Sequence, residues 1–203
     1  VFFGGGTPTL LAARDVVGIL NALRSSYGLA QDAEVTVEAN PDSVDASYLR
    51  ELRDGGFTRV SFGHQSSSPR VLGFLERTHT PGRTWQAVDW ARQAGFEHLS
   101  VDLIYGSQVE SPADLQATLA EVCNAPLDHV SAYSLIVEEG TRLGARVNRA
   151  EVEPVSDDVA AERYVMVDQA LTAAGYTWYE VSNWARPGGE CRHNVGYWRG
   201  GDW

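Results

Sequence analysis

Short apolar runs alternate with amphipathic helical stretches along almost the whole sequence, and this alternation restricts the fold more than any other feature. "VFF" (residues 1–3), "AEVTVEANP", "TRVSFGHQS", "HLSVDLIYG" and "DHVSAYSLIVEEGT" read as strands, the last running into a loop. Between them, "LLAARDVVGILNALRSSYG", "SVDASYLRELRDGGF", "SPRVLGFLERTH", "TWQAVDWARQAGF" and "SPADLQATLAEVCNA" carry apolar residues at helical spacing. The stops agree with these assignments: Gly28 suits a helix C-cap, Pro41 ends a strand, and Gly55-Gly56 ends the second helix, whose N-cap is Ser43 or Asp45. Thr80-Pro81-Gly82 separates two helices, and Pro112 opens another. A polar, acidic linker then leads to the helix "DDVAAERYVMVDQALTAAGY", to "TWYEVSNWARPGG", and to a Gly-rich end.

Strands joined by helices of this length imply parallel pairing under right-handed crossovers, hence an α/β fold. Five strands precede residue 136. Gly4-Gly5-Gly6, Glu38, Gln65 and Asp102 all fall toward the C-terminal ends of their strands. A (β/α) barrel brings such ends to one mouth where ligands bind, so the expectation is a partial (β/α)6 barrel over 1–150 rather than an open doubly wound sheet. Residues 151–203 read as a C-terminal extension. The only Met is Met166, and Val1-Phe2-Phe3 resembles the middle of a buried strand, so a fragment is expected.

Composition excludes several chemistries. There is no lysine, and all 16 basic residues are Arg. Neither a Schiff base nor a P-loop can therefore form from these residues. Against 27 acidic residues the net charge is −11, which argues against nucleic acid as partner. Cys123 and Cys191 are too few for a disulfide framework or an iron–sulfur cluster. No apolar run reaches the roughly 20 residues needed to span a bilayer, and with no signal peptide visible the cytoplasm is the expected location.

The strand-end residues describe a pocket. Three glycines give bare backbone that can approach a small polar ligand, although a tight turn would also use them. Glu38 suits a ligand hydroxyl or ammonium, or else a salt bridge to an Arg. Arg77 can grip a carboxylate bidentately. Asp102 lies within an apolar run, where an ionised group needs a partner such as a sugar hydroxyl. Such a set fits an amino acid joined to a ribose.

"FFGGGTPTLL", "VEANP", "GHQS", "RTH", "VDLIYG" and "VSAYSL" resemble, in order and spacing, the radical S-adenosylmethionine (SAM) family of oxygen-independent coproporphyrinogen III dehydrogenases and their haem-chaperone relatives. The likeness covers nearly the whole chain. It implies a SAM cofactor and a [4Fe–4S] cluster whose cysteines precede Val1. It also implies that Gly5, Gly6 and Thr7 meet the methionyl amino and carboxylate groups. Glu38, Gln65 and Asp102 would lie at the ribose or sulfonium side, Arg77 at the carboxylate, and Ile136 near the adenine. Two departures stand out: His64 replaces a usually apolar residue beside Gln65, and "YGSQVES" replaces a loop close to "YGLPGQS", with loosening after Asp102 expected.

"EVSNWARPGGECRHNVGYWRGGDW" resembles the chaperone branch through His193-Asn194-x-x-Tyr197-Trp198. A His beside flat aromatic surface offers haem an axial ligand, with Cys191 as a rival ligand; the plainer alternative is a structural histidine packed under aromatics. The resemblance thus implies a haem-binding chaperone that passes haem to an acceptor protein, membrane-bound acceptors included. The other reading is an anaerobic enzyme that decarboxylates coproporphyrinogen III.

Overall fold

The computed structural model describes residues 1–77, 80, 82–154 and 156–201. Thr78 and His79 of the "RTH" motif, and Pro81 of the break between helices, lie outside the described residues. The elements are β1 (Phe2–Phe3), α1 (Ala13–Tyr27), β2 (Thr36–Ala39), α2 (Ala46–Gly55), β3 (Arg59–Gln65), α3 (Pro69–Phe74), α4 (Arg83–Ala94) and β4 (His98–Tyr105). They continue with α5 (Pro112–Asn124), β5 (His129–Ser134), α6 (Arg142–Asn148), α7 (Asp157–Ala173), β6 (Thr177–Glu180), β7 (Asn183–Ala185) and α8 (Arg192–Trp198).

One sheet runs in the order β1-β2-β3-β4-β5-β7-β6. The first five strands are parallel and stand in sequence order. Because the order never reverses, crossovers of one hand put every connecting helix on the same side of the sheet. The core agrees: Val16 and Leu20 of α1, Leu49 and Leu52 of α2, Val88 and Ala91 of α4, Leu115 and Leu119 of α5, and Val167 and Leu171 of α7 pack with Val37, Val60, Phe62, Leu99, Val101 and Val130 of the strands. This is the arrangement of a (β/α) barrel, which leaves the opposite face of the sheet to the barrel interior. A doubly wound sheet would have helices on both faces.

Local chemistry explains most element ends. Asp45, not Ser43, caps α2, accepting the Tyr48 N–H, and Gly56 closes that helix in the left-handed conformation at φ 105°. Ser111 and Asp114 form a capping box around Pro112. Other parts depart from the sequence reading. The first helix begins only at Ala13, after a 3-10 turn over Pro8–Leu10. The stretch "SPRVLGFLERTH" is helical only to Phe74. The acidic linker contains α6, started by Thr141, whose side chain accepts the Gly144 N–H. "TWYEVSNWA" is an antiparallel hairpin, β6–β7, added to the sheet through β7 against β5. The residues after 150 therefore continue the same sheet, and the "Gly-rich end" contains α8.

Candidate functional site

The strands alternate in character. Val35, Val37, Val60, Phe62, Leu99, Val101, Val130 and Ala132 face the helices. Their neighbours Thr36, Glu38, Arg59, Ser61, Gly63, Gln65, Ser100, Asp102, His129 and Ser131 line a cavity of about 440 Å³ on the other face. Parallel strands buried on both faces are usually apolar throughout; a polar inner face marks a chamber built to hold a ligand.

The mouth lies at the C-terminal strand ends. Gly5 and Gly6 hold φ of 85° and 62°, conformations that favour glycine, so the loop after β1 can turn over the end of β2. Thr9 pins this loop: its hydroxyl lies 2.6 Å from Ser43 Oγ and accepts the Asn40 N–H at 3.3 Å. Glu38 turns to the loop rather than to an arginine, its Oε2 accepting the Gly5 N–H at 3.2 Å. Gly4 has no room for a side chain, since a Cβ would stand 2.7 Å from the Phe2 ring and 3.1 Å from the Glu38 carboxyl.

Asp102 sits opposite Gly63 on β3 and Ser131 on β5. Ser61 Oγ donates to its Oδ1 at 3.0 Å. Burial, reinforced by the nearby Glu38 charge, outweighs the serine hydrogen bonds and raises its pKa to about 6. The folded carboxyl thus holds its proton to a higher pH than an unfolded one, near 3.9. Its contribution to stability is full below about pH 4 and is lost as pH rises through about 6. Gln65, at the end of β3, adopts φ 63°, unusual for a residue with a side chain, and its Oε1 is buried without a hydrogen-bond partner. A strained residue holding an unsatisfied acceptor beside two acids suits a bound polar or cationic group. Arg77 and the largely exposed Ile136 complete the rim.

The floor lies at the N-terminal strand ends. Arg59, 2% exposed, pairs with Glu34 at 3.2 Å and donates to the carbonyls of Gly189 and Glu190 at 2.9 and 3.2 Å. His129 is buried, with Nδ1 2.8 Å from Ser100 Oγ and Nε2 2.8 Å from Tyr179 Oη. Tyr179 Oη already accepts from the Cys191 N–H and from Asn194, so it donates to Nε2, and the proton sits on Nδ1. Burial lowers the His129 pKa to about 3, so the ring is neutral.

Of the residues expected at the site, Gly6, Thr7, Glu38, Gln65, Arg77, Asp102 and Ile136 line this cavity, and Gly5 bonds Glu38 beside it. His193 is not in the lining, although Cys191 and Asn194 are. Its ring stacks on Phe2 at 4.7 Å and meets Tyr197 edge-on at 4.8 Å. Burial lowers its pKa, leaving a neutral imidazole at pH 7. The Cys191 thiol is pushed up to about 11, first by burial and then by Glu34, so it stays protonated. His64 faces the helices, bonded to Thr84 and Ser67 at 3.0 Å each, and does not enter the pocket. The "YGSQVES" loop is held by Glu110, whose Oε2 accepts the Gly106 N–H at 2.8 Å.

The sequence reading missed Arg59, Ser100 and His129 of the floor, and Ser131 beside Asp102. Their signal was the period-two pattern of Arg-Val-Ser-Phe and His-Val-Ser-Ala, in which every second residue is polar.

A model of the radical SAM superfamily matches residues 1–122. The chain belongs to the radical SAM superfamily. Over all 203 residues this radical SAM chain is 52% identical to the heme chaperone HemW of Mycobacterium tuberculosis, covering 52% of that protein. It is 37% identical to HemW of Escherichia coli, covering 53% of it. It is also similar in structure to coproporphyrinogen III oxidase (HemN) of Escherichia coli, a radical SAM enzyme, with a TM-score of 0.83 and 26% identity over 98% of this chain and 45% of that one. The chain spans about half the length of the curated relatives it matches. Both the partial barrel and the family resemblance read from the motifs are borne out.

Among the described residues, no group of three or more His, Cys, Asp or Glu could hold a metal ion, so an iron–sulfur cluster finds no ligand set in them. The mouth of the cavity does fit SAM, with flexible glycine backbone, two carboxylates and the unsatisfied Gln65 acceptor. No helix among the described residues is long and apolar enough to cross a membrane.

Proposed function

We propose that this chain is the SAM-binding core of a haem chaperone that works in the cytoplasm and passes haem to an acceptor protein. The observation that carries the reading is the 52% identity to a heme chaperone along the entire chain, twice the 26% to the oxidase. When bound, SAM supplies a sulfonium cation and a methionyl carboxylate. Gly5, Gly6 and Thr7 would hold the methionyl amino and carboxylate groups by backbone contact, with Arg77 on the carboxylate. Glu38, Gln65 and Asp102 would face the ribose and sulfonium, and Ile136 the adenine. The cluster's cysteines would belong to the part of the relatives that this chain does not span.

Haem would take His193 as axial ligand, with Tyr197 and Trp198, 54% and 64% exposed, as flat apolar surface. The neutral imidazole favours this ligand. The protonated, buried Cys191 thiol is the poorer one, because metals bind the thiolate.

Calorimetry of SAM binding to the full-length, cluster-reconstituted protein tests the pocket. Losing a charged, bidentate contact costs about 1.5–3 kcal/mol, so Arg77→Ala should weaken binding roughly tenfold or more. Unchanged affinity would remove Arg77 from the site.

Asp102 adds a pH dependence. Its ionised form attracts a cationic ligand, and it protonates near pH 6. SAM affinity of the wild type should therefore fall about tenfold per pH unit below that point. Asp102→Asn should bind more weakly and show a flat profile between about pH 5 and 7. A flat wild-type profile would overturn the role of Asp102.

A further inference from the structure

The stretch that carries His193 is held by a carboxylate far away in sequence. Glu34 lies just ahead of β2, with a side chain only 9% exposed. Its Oε2 pairs with Arg59 Nε at 3.2 Å and accepts the Arg192 N–H at 3.1 Å. Its Oε1 accepts the His193 N–H at 3.2 Å and the Cys191 thiol at 3.5 Å. Arg59 completes the grip from the other side, donating Nη2 to the carbonyls of Gly189 and Glu190. One buried ion pair therefore fastens both the chain entering α8 and the first turn of that helix.

The same contacts make the His193 stretch part of the cavity. Cys191 and Asn194, on either side of His193, line the floor, and Phe2, on which the imidazole stacks, lines it too. A local cap would satisfy the same N–H groups, whereas a carboxylate 159 residues away also ties the first turn of α8, and with it His193, to the barrel floor.

We infer that Glu34, with Arg59 behind it, is a positioning residue that fixes His193 against the cavity floor for haem ligation. The inference rests on the haem reading above and deepens it. Glu34 does not touch haem. It neutralises the buried guanidinium and takes the two N–H groups whose direction sets where the imidazole stands.

The test uses the full-length protein, with Glu34→Gln as an isosteric change and Glu34→Asp as the conservative one. Gln keeps one acceptor oxygen but places an amide NH2 where a second acceptor is needed. Amide hydrogen exchange at Arg192 and His193 should rise roughly tenfold or more in Glu34→Gln. Haem affinity should fall about tenfold, with the Soret band moving toward that of His193→Ala. Asp keeps the charge opposite Arg59 but is shorter by a methylene, and should lie between wild type and Glu34→Gln in all three readouts. SAM affinity should stay within about twofold, because Glu34 does not line the cavity.

Unchanged exchange at Arg192 and His193 in a folded Glu34→Gln protein would overturn the clamp. Raised exchange with a wild-type haem spectrum would overturn the positioning role. If the wild type showed no haem spectrum dependent on His193, the ligand assignment would fall and the positioning role with it, while the exchange data would still decide the clamp. Should Glu34→Gln fail to fold, Glu34→Asp carries the test with the same signs.

Discussion

Arg59→Met in the full-length protein should lower thermal stability by about 3–5 kcal/mol, the usual cost of breaking a buried ion pair from one side. For a domain of this size that is roughly a 10 °C fall in Tm. Methionine fills much of the volume, so the loss does not come from a cavity. It comes from leaving the Glu34 carboxylate buried without its counter-charge, and from stripping the Gly189 and Glu190 carbonyls of their donor. The contrasting substitution is Arg142→Met. Arg142 pairs with Glu76 at 3.1 Å, but its side chain is 84% exposed. Solvent screens such a pair to about 0–1 kcal/mol, so the Tm should barely move. Equal shifts for the two substitutions would mean that the floor pair carries no special load and that α8 is held by something else.

The parts of this fold that were legible in the sequence are those whose stability is local or simply periodic. Strands β1 to β5 announce themselves as short apolar runs, and the intervening helices by apolar stripes and by end signals such as Asp45, Gly56 and Pro112. The hairpin β6–β7 was not legible. Its strands are four and three residues long: Thr177 and Trp178 of β6 are exposed, and β7, though buried throughout, is too short to show a period. Helix α8 was hidden for a different reason. Its cap is Glu34, which no local pattern connects to Arg192 and His193.

The site divides in the same way. Acids and glycines at strand ends were legible because a charge in an apolar run needs a reason, and Glu38, Gln65 and Asp102 do meet in one cavity. The floor was not, because Arg59, Ser100 and His129 sit at the beginnings and middles of strands, where polar residues draw less notice. The alternation that would have exposed them also settles His64: one step along β3 from Gln65 it faces Thr84 on α4 and leaves the pocket untouched.

The most direct test of the account is a haem titration of the full-length wild type, His193→Ala and Cys191→Ser, followed by absorbance. An imidazole-ligated haem differs in its Soret band from a thiolate-ligated one. His193→Ala removes an iron–nitrogen bond while sparing the exposed Tyr197 and Trp198. The wild type should give an imidazole-type spectrum, and His193→Ala a shifted band with affinity reduced roughly tenfold or more. Cys191→Ser should keep the wild-type spectrum, since the thiol is buried and protonated against Glu34. A wild type that binds no haem and instead converts coproporphyrinogen III anaerobically with SAM would contradict the chaperone reading, and a spectrum altered only by Cys191→Ser would contradict the ligand.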